Sequence, residues 1–131
     1  MPSIFSKIIS GEIPSHKIAE SEKFLAFLDI NPLAKGHTLV IPKEEIDYVF
    51  DVPDDLLAEL IVFSKSVARK IKSAISCERI GVSVIGLEVP HTHIHLIPIN
   101  SVADMNFSKS KLNLSQEELA TIAENIRSKS T

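Results

Sequence analysis

At 131 residues with 44% hydrophobic side chains, the chain has enough apolar material for one domain with a real core and too little length for two. Its 14 basic and 17 acidic residues, net −3, are mixed along the chain, so no cationic stripe exists to follow a phosphate backbone and nucleic acid is excluded as an expected partner. A single cysteine, Cys77, can form neither an internal disulfide nor half of a thiolate metal cage. The N-terminal residues lack the apolar run of a secretory signal, and no stretch approaches the length of a membrane span. A cytoplasmic, membrane-free protein is expected.

The chain opens with a short helix that Ser3 caps, with Ile4, Phe5, Ile8 and Ile9 on one face and Gly11 at its end, before Pro14. Strand-like runs follow at residues 16–20 and 24–28. Asp29-Ile30-Asn31-Pro32 has turn chemistry, and Lys35-Gly36 leads into the β-branched run His37-Thr38-Leu39-Val40-Ile41, stopped by Pro42. Three short strands in sequence predict antiparallel pairing. From Pro53 to Ile75, Leu56, Leu57, Leu60, Ile61, Val67, Ala68, Ile71 and Ile75 recur at helical spacing, which predicts a long helix covering the sheet. Residues 80–85 and 91–99 read as two further strands. Ser115-Gln116-Glu117-Glu118 is a capping-box pattern ahead of a C-terminal helix over 115–129. The sum is a single α+β domain, a five-stranded antiparallel sheet with helices on one face.

Three of the five histidines fall in His91-Thr92-His93-Ile94-His95-Leu96-Ile97-Pro98. In a strand, alternate side chains share a face, so the imidazoles are expected on one side and Thr92, Ile94 and Leu96 on the core side. Two chemistries could use such a row. A metal would need the outer rings to converge, yet on a straight strand rising about 3.3 Å per residue His91 and His95 start roughly 13 Å apart, so one ion reaches two rings but hardly three. Phosphoryl chemistry profits from the separation, because one ring attacks while the others bind or protonate. An imidazole near its ordinary pKa serves as neutral nucleophile, as acid or as charged donor.

These residues resemble the signature of the histidine triad family. Ile4-Phe5-Ser6-Lys7-Ile8-Ile9, Glu12-Ile13-Pro14, Ala26-Phe27-Leu28-Asp29-Ile30, Pro32 and His37-Thr38-Leu39-Val40-Ile41-Pro42-Lys43 follow its pattern in order and spacing, so the likeness spans most of residues 3–99. It implies a two-layer fold and a homodimer paired through the helix and an edge strand. It also implies a nucleotide hydrolase acting on purine nucleotide derivatives such as phosphoramidates, with no cofactor and no metal. His93 matches the nucleophile that forms a covalent nucleotidyl intermediate, and His95 matches the contact to the α-phosphate. His91 and His37 match the histidines completing the network, and Asp29 the ligand of the ribose hydroxyls. Phe5, Ile8, Phe27 and Ile30 match the wall of the base pocket. Read without the family, Asp29 also fits an Asx-type turn residue, and Phe5 and Phe27 also fit ordinary core.

The chain departs from the pattern in two places. A glycine-rich stretch with hydrogen-bond donors normally precedes the first histidine, whereas here the shorter Gly86-Leu87-Glu88-Val89-Pro90 puts Glu88 at the rim of the expected phosphate site. Zinc-binding relatives carry cysteines near the N-terminus and a histidine after the Pro-Lys pair. Ser6 and Glu45 stand there instead, so structural zinc is not expected. The altered loop makes a nucleotide-binding module with little turnover the alternative function. A metal-dependent hydrolase using two triad histidines and His37 is a third.

Overall fold

A computed structural model describes residues 2–130, so Met1 and Thr131, the ends of the expected 1–131 domain, lie outside the described residues. Helix α1 (Ile4–Ser10) forms because the Ser3 side chain accepts the Ser6 N–H at 3.0 Å, and it ends at Gly11, whose φ of 89° an L side chain rarely adopts. A helix of 7 residues is too short to persist alone. Burial of Phe5 and Ile8, each contributing about 1.5–3 kcal/mol, holds it.

Strands β1 (Lys17–Glu20), β2 (Phe24–Leu28) and β3 (Thr38–Pro42) form an antiparallel meander. Helix α2 (Asp54–Ala74) then crosses the sheet and returns the chain to β4 (Arg79–Ser83) and β5 (Ile94–Ile99). The spatial order is β1-β2-β3-β5-β4 with every pairing antiparallel. Helix α3 (Gln116–Arg127) starts at Ser115, where both bonds of the capping box are made. Short 3₁₀ turns at Val49–Asp51 and Val102–Met105 complete the described chain.

The helices α2 and α3 bury one face of the sheet, with Leu60, Val67, Ile71, Leu119 and Ile126 against Ile18, Ala26, Leu28, Val40, Ile94 and Leu96. The expectation that all helices share that face holds for these two only. Helix α1 packs on the opposite face, where Phe5 and Ile8 meet Leu25, Phe27, Leu39 and Ile41. The strand expected from His91 begins at Ile94, because residues 91–93 are bonded elsewhere. Both the N–H and the hydroxyl of Thr92 donate to the Ile46 carbonyl at 2.7 Å. Thr92 therefore occupies no apolar strand position, and the expected row of three rings on one strand does not form. The strand expected over 80–85 instead ends at Ser83, with Gly86 turning at φ 76°.

Candidate active site

The site lies on the α1 face. His95 sits opposite Leu39 across the β3–β5 ladder, and His37 lies two residues before Leu39, so both imidazoles share that face. Gly36, at φ 90°, where a Cβ would also press to 3.0 Å from the Ile75 side chain, turns the chain into His37. His37 Nε2 and His95 Nδ1 lie 3.0 Å apart. The direction of that bond is fixed from outside the pair. The Leu33 N–H donates to His37 Nδ1 at 3.0 Å, so Nδ1 is the acceptor and neutral His37 carries its proton on Nε2. His37 therefore donates to His95 Nδ1, and neutral His95 carries its own proton on Nε2.

Neutrality follows from burial. His37 is 1% exposed and His95 8%. Burial first, then the neighbouring charge of His95 and of Lys111, pushes the His37 pKa down to about 3. Burial and then His93 push His95 down to about 4. Asp29 completes this end of the site, with Oδ2 3.6 Å from His37 Nε2 and Oδ1 accepting the Asn31 N–H at 2.8 Å. The aspartate is thus an Asx-turn residue and a neighbour of the histidines at once. Burial raises its pKa above the usual carboxylate value and Glu88 adds to that, while the Asn31 bond opposes it.

His93 is held through its other nitrogen. Nδ1 lies 2.7 Å from the His91 carbonyl, which only accepts, so neutral His93 carries its proton there and keeps a lone pair on Nε2. His91 has no free nitrogen. Its Nε2 donates to the Pro42 carbonyl at 2.8 Å and its Nδ1 accepts from Ser3 Oγ at 2.8 Å. It is fully buried, and burial lowers its pKa against the opposing pull of Pro42 and Glu45. Its support reaches back to the N-terminus, where Glu45 Oε1 accepts both the Ser3 N–H at 2.7 Å and the Ser6 hydroxyl at 2.6 Å.

Among the described residues no fully buried side-chain polar atom lacks a partner. The Nε2 atoms of His93 and His95 make no protein hydrogen bond there, so they are the parts of these rings that solvent or a ligand reaches. The two rings are 5.0 Å apart between centroids. One free nitrogen offers a lone pair and its neighbour offers a proton, which suits attack on an electrophile bearing an oxygen. Asp29, His37 and His95 bring three potential ligand atoms within 4.8 Å of one another, and two of them, the facing ring nitrogens of His37 and His95, share a hydrogen bond.

A family comparison decides what carries this geometry: the HIT domain matches residues 10–102. The chain belongs to the HIT family. An HIT-like protein of Borreliella burgdorferi is 38% identical over 92% of both chains. An adenosine 5′-monophosphoramidase of Schizosaccharomyces pombe is 36% identical over 98% of both. The crystal structure of an HIT-like protein from Bartonella henselae superimposes with a TM-score of 0.82 at 32% identity, covering 95% of this chain and 94% of that one.

Within this HIT fold, Phe5 is brought edge-on to His93 at 5.0 Å and to Phe27 at 5.5 Å, with Ile8 in the same cluster. Ile30 stands apart from them, 58% exposed on the turn. Glu88 is exposed on the 86–90 segment and acts on Asp29 through its charge. Sequence reasoning missed the Leu33 amide, the Pro42 carbonyl and the bond from Ser3 to His91. It also missed Phe107, whose ring stands 4.9 Å from that of His95.

Proposed function

We propose that this HIT protein is a nucleoside phosphoramidase, a hydrolase that attacks the α-phosphorus of purine nucleotide derivatives through a nucleotidyl intermediate on His93. The observation that carries the reading is the bond from His93 Nδ1 to the His91 carbonyl, which reserves Nε2 for attack beside the donor Nε2–H of His95. In the first step the Nε2 lone pair forms a bond to phosphorus. The bond from phosphorus to the leaving amine breaks, its electron pair departs with the amine, and the amine takes up a proton from solvent. Water then attacks phosphorus and gives a proton back to solvent, the bond from phosphorus to Nε2 breaks with its electron pair returning to the ring, and the nucleotide is released. His95 Nε2–H donates to a phosphate oxygen as charge builds there. Asp29 receives the ribose hydroxyls, and Phe5, Ile8, Phe27 and Ile30 border the base. The phosphoramidase name of the fission-yeast relative, matched along nearly its whole length, supports the same activity.

The reading needs no cofactor and no metal, and it places the protein with cytoplasmic nucleotides. It includes a homodimer, supported by the outer edge of β4, which pairs with no strand among the described residues and carries exposed Val82.

The test is a panel of adenosine and guanosine 5′-phosphoramidates, dinucleoside polyphosphates and nucleotide sugars. Wild-type protein should release amine and nucleoside monophosphate from the phosphoramidates, with or without chelator, and should show one nucleotidyl group by intact mass when quenched during turnover. His93→Ala should bind nucleotide without turnover. Wild-type protein that binds nucleotide yet turns over none of the panel would establish the binding-module alternative, and loss of activity to chelator would move a metal into the mechanism.

A further inference from the structure

Residues 103–112 lie beyond the part of the chain that matches the family, which stops at 102, yet they run across the catalytic histidines. At one end Met105 covers β4, where a Cβ on Gly81 would stand 2.7 Å from the Met105 sulfur. At the other end the Leu112 N–H donates at 2.8 Å to the carbonyl of Pro32, on the turn that carries Asp29. Between these anchors Lys111 Nζ donates to the carbonyls of Phe107 and Lys109, which closes the segment into a compact loop. Phe107 is the side chain this loop delivers to the site. Its ring centroid is 4.9 Å from that of His95 at 73° and 6.4 Å from that of His37 at 78°.

We propose that Phe107 is a positioning residue of the catalytic site: its ring covers the His37–His95 pair and holds His95 in the neutral tautomer that keeps the Nε2–H free for substrate. The physical argument concerns water. The bond from His37 Nε2 to His95 Nδ1 is a neutral pair contact of about 0.5–1.5 kcal/mol net, and a water admitted beside either nitrogen competes with it directly. Admitted water also makes an imidazolium cheaper to form. An apolar ring in edge contact excludes that water and offers no donor or acceptor of its own.

The charges facing the pair bear on both outcomes. His93, on the approach to β5, and Lys111, on the loop itself, disfavour a second cation. Asp29, on the turn after β2, and Glu88 beyond it are the anions that would receive one. Ser83 of β4, opposite His95, does not titrate. With the ring removed the Leu33 N–H still fixes the His37 tautomer, but the His37 Nε2–H can turn to water or to Asp29, and His95 then loses the bond to Nδ1 that fixes its own proton on Nε2.

The consequence for catalysis rests on the phosphoramidase reading, whereas the tautomer can be measured without any substrate. Ring ¹⁵N spectra of wild type, Phe107→Leu and Phe107→Ala, with His95 assigned through His95→Gln, report which nitrogen carries the proton near neutral pH. Wild type and the Leu variant should show His95 as one Nε2–H tautomer. The Ala variant should show mixed tautomers, together with a His95 titration displaced upward by about one pH unit or more. In kinetics with adenosine 5′-phosphoramidate, the acid limb of kcat/KM should move up by the same displacement in the Ala variant alone. An Ala variant with the wild-type His95 tautomer and titration overturns the proposal, even if its melting temperature falls, because a purely structural role lowers stability without touching the relay. Wild-type protein inactive on the panel removes the phosphoramidase reading and leaves the NMR result to decide the role of Phe107.

Discussion

Acidification should destabilise this protein well before its carboxylates titrate. In the unfolded chain His37 and His95 titrate near the ordinary value of about 6.5. In the folded protein they stay neutral down to about 3 and about 4. Their depressed pKa values mean that the unfolded state binds more protons below about pH 6.5, so stability is flat above that pH and falls as pH drops toward the folded values. At pH 5.5 each histidine is ionised almost completely when unfolded and hardly at all when folded, which costs about 1.4 kcal/mol per group. The pair therefore loses about 3 kcal/mol between pH 7.5 and 5.5, a large share of the 5–15 kcal/mol typical of a domain. Burial of His91 adds in the same direction. The raised pKa of Asp29 acts oppositely, because its buried charge is relieved as pH falls. Urea unfolding at the two pH values measures the difference. His37→Gln and His95→Gln should each flatten the dependence, since each removes one of the groups responsible. A wild-type stability that changes by less than about 0.5 kcal/mol over this interval would show that the histidines accept protons in the folded state, and the neutral relay would be wrong.

Ser3→Ala leaves buried His91 Nδ1 without its donor and uncaps α1, so stability should fall by about 2 kcal/mol with a visible loss of kcat, whereas Ser3→Thr should restore most of both; a melting temperature within a degree or so of wild type would dismiss the support role. Asp29→Ala should weaken nucleoside binding by about 1–3 kcal/mol and narrow the discrimination against 2′-deoxy ligands. Calorimetry showing equal losses for ribo and deoxyribo forms would leave Asp29 its turn role alone. Glu88→Gln should reduce kcat/KM selectively for substrates with basic leaving groups and spare or improve neutral ones, because a carboxylate offers no proton to a phosphate oxyanion but attracts an amine. Parallel changes across both classes would sink that assignment.

The sheet was legible because its strands are short, mostly apolar runs bounded by turn residues, as with Thr38–Pro42 behind Gly36. Helix α2 was legible from its apolar period, and α3 from its apolar period and its capping box. The histidine row was misread for a local reason with a distant cause. The period-2 pattern of 91–95 predicts a strand, but partners at Ser3, Pro42 and Ile46 claim His91 and Thr92 before the ladder begins, and nothing in the local sequence reveals them. Ser6 and Glu45 were visible as substitutions at zinc positions, yet not as partners of each other. Phe107 left a faint signal: a lone aromatic among Asn106, Ser108, Lys109 and Ser110 is out of place unless something covers it.

The relay is closed by contacts between distant parts of the chain. His37 and His95 are 58 residues apart, and Ser3 and His91 are 88 apart. Contacts of such separation form late, after the loop-closure entropy has been met by the rest of the fold. A growing chain on the ribosome therefore carries its histidines exposed and ordinarily basic until β5 has emerged and paired with β3. The neutral, hydrogen-bonded arrangement of His37 and His95 arrives only with that long-range pairing.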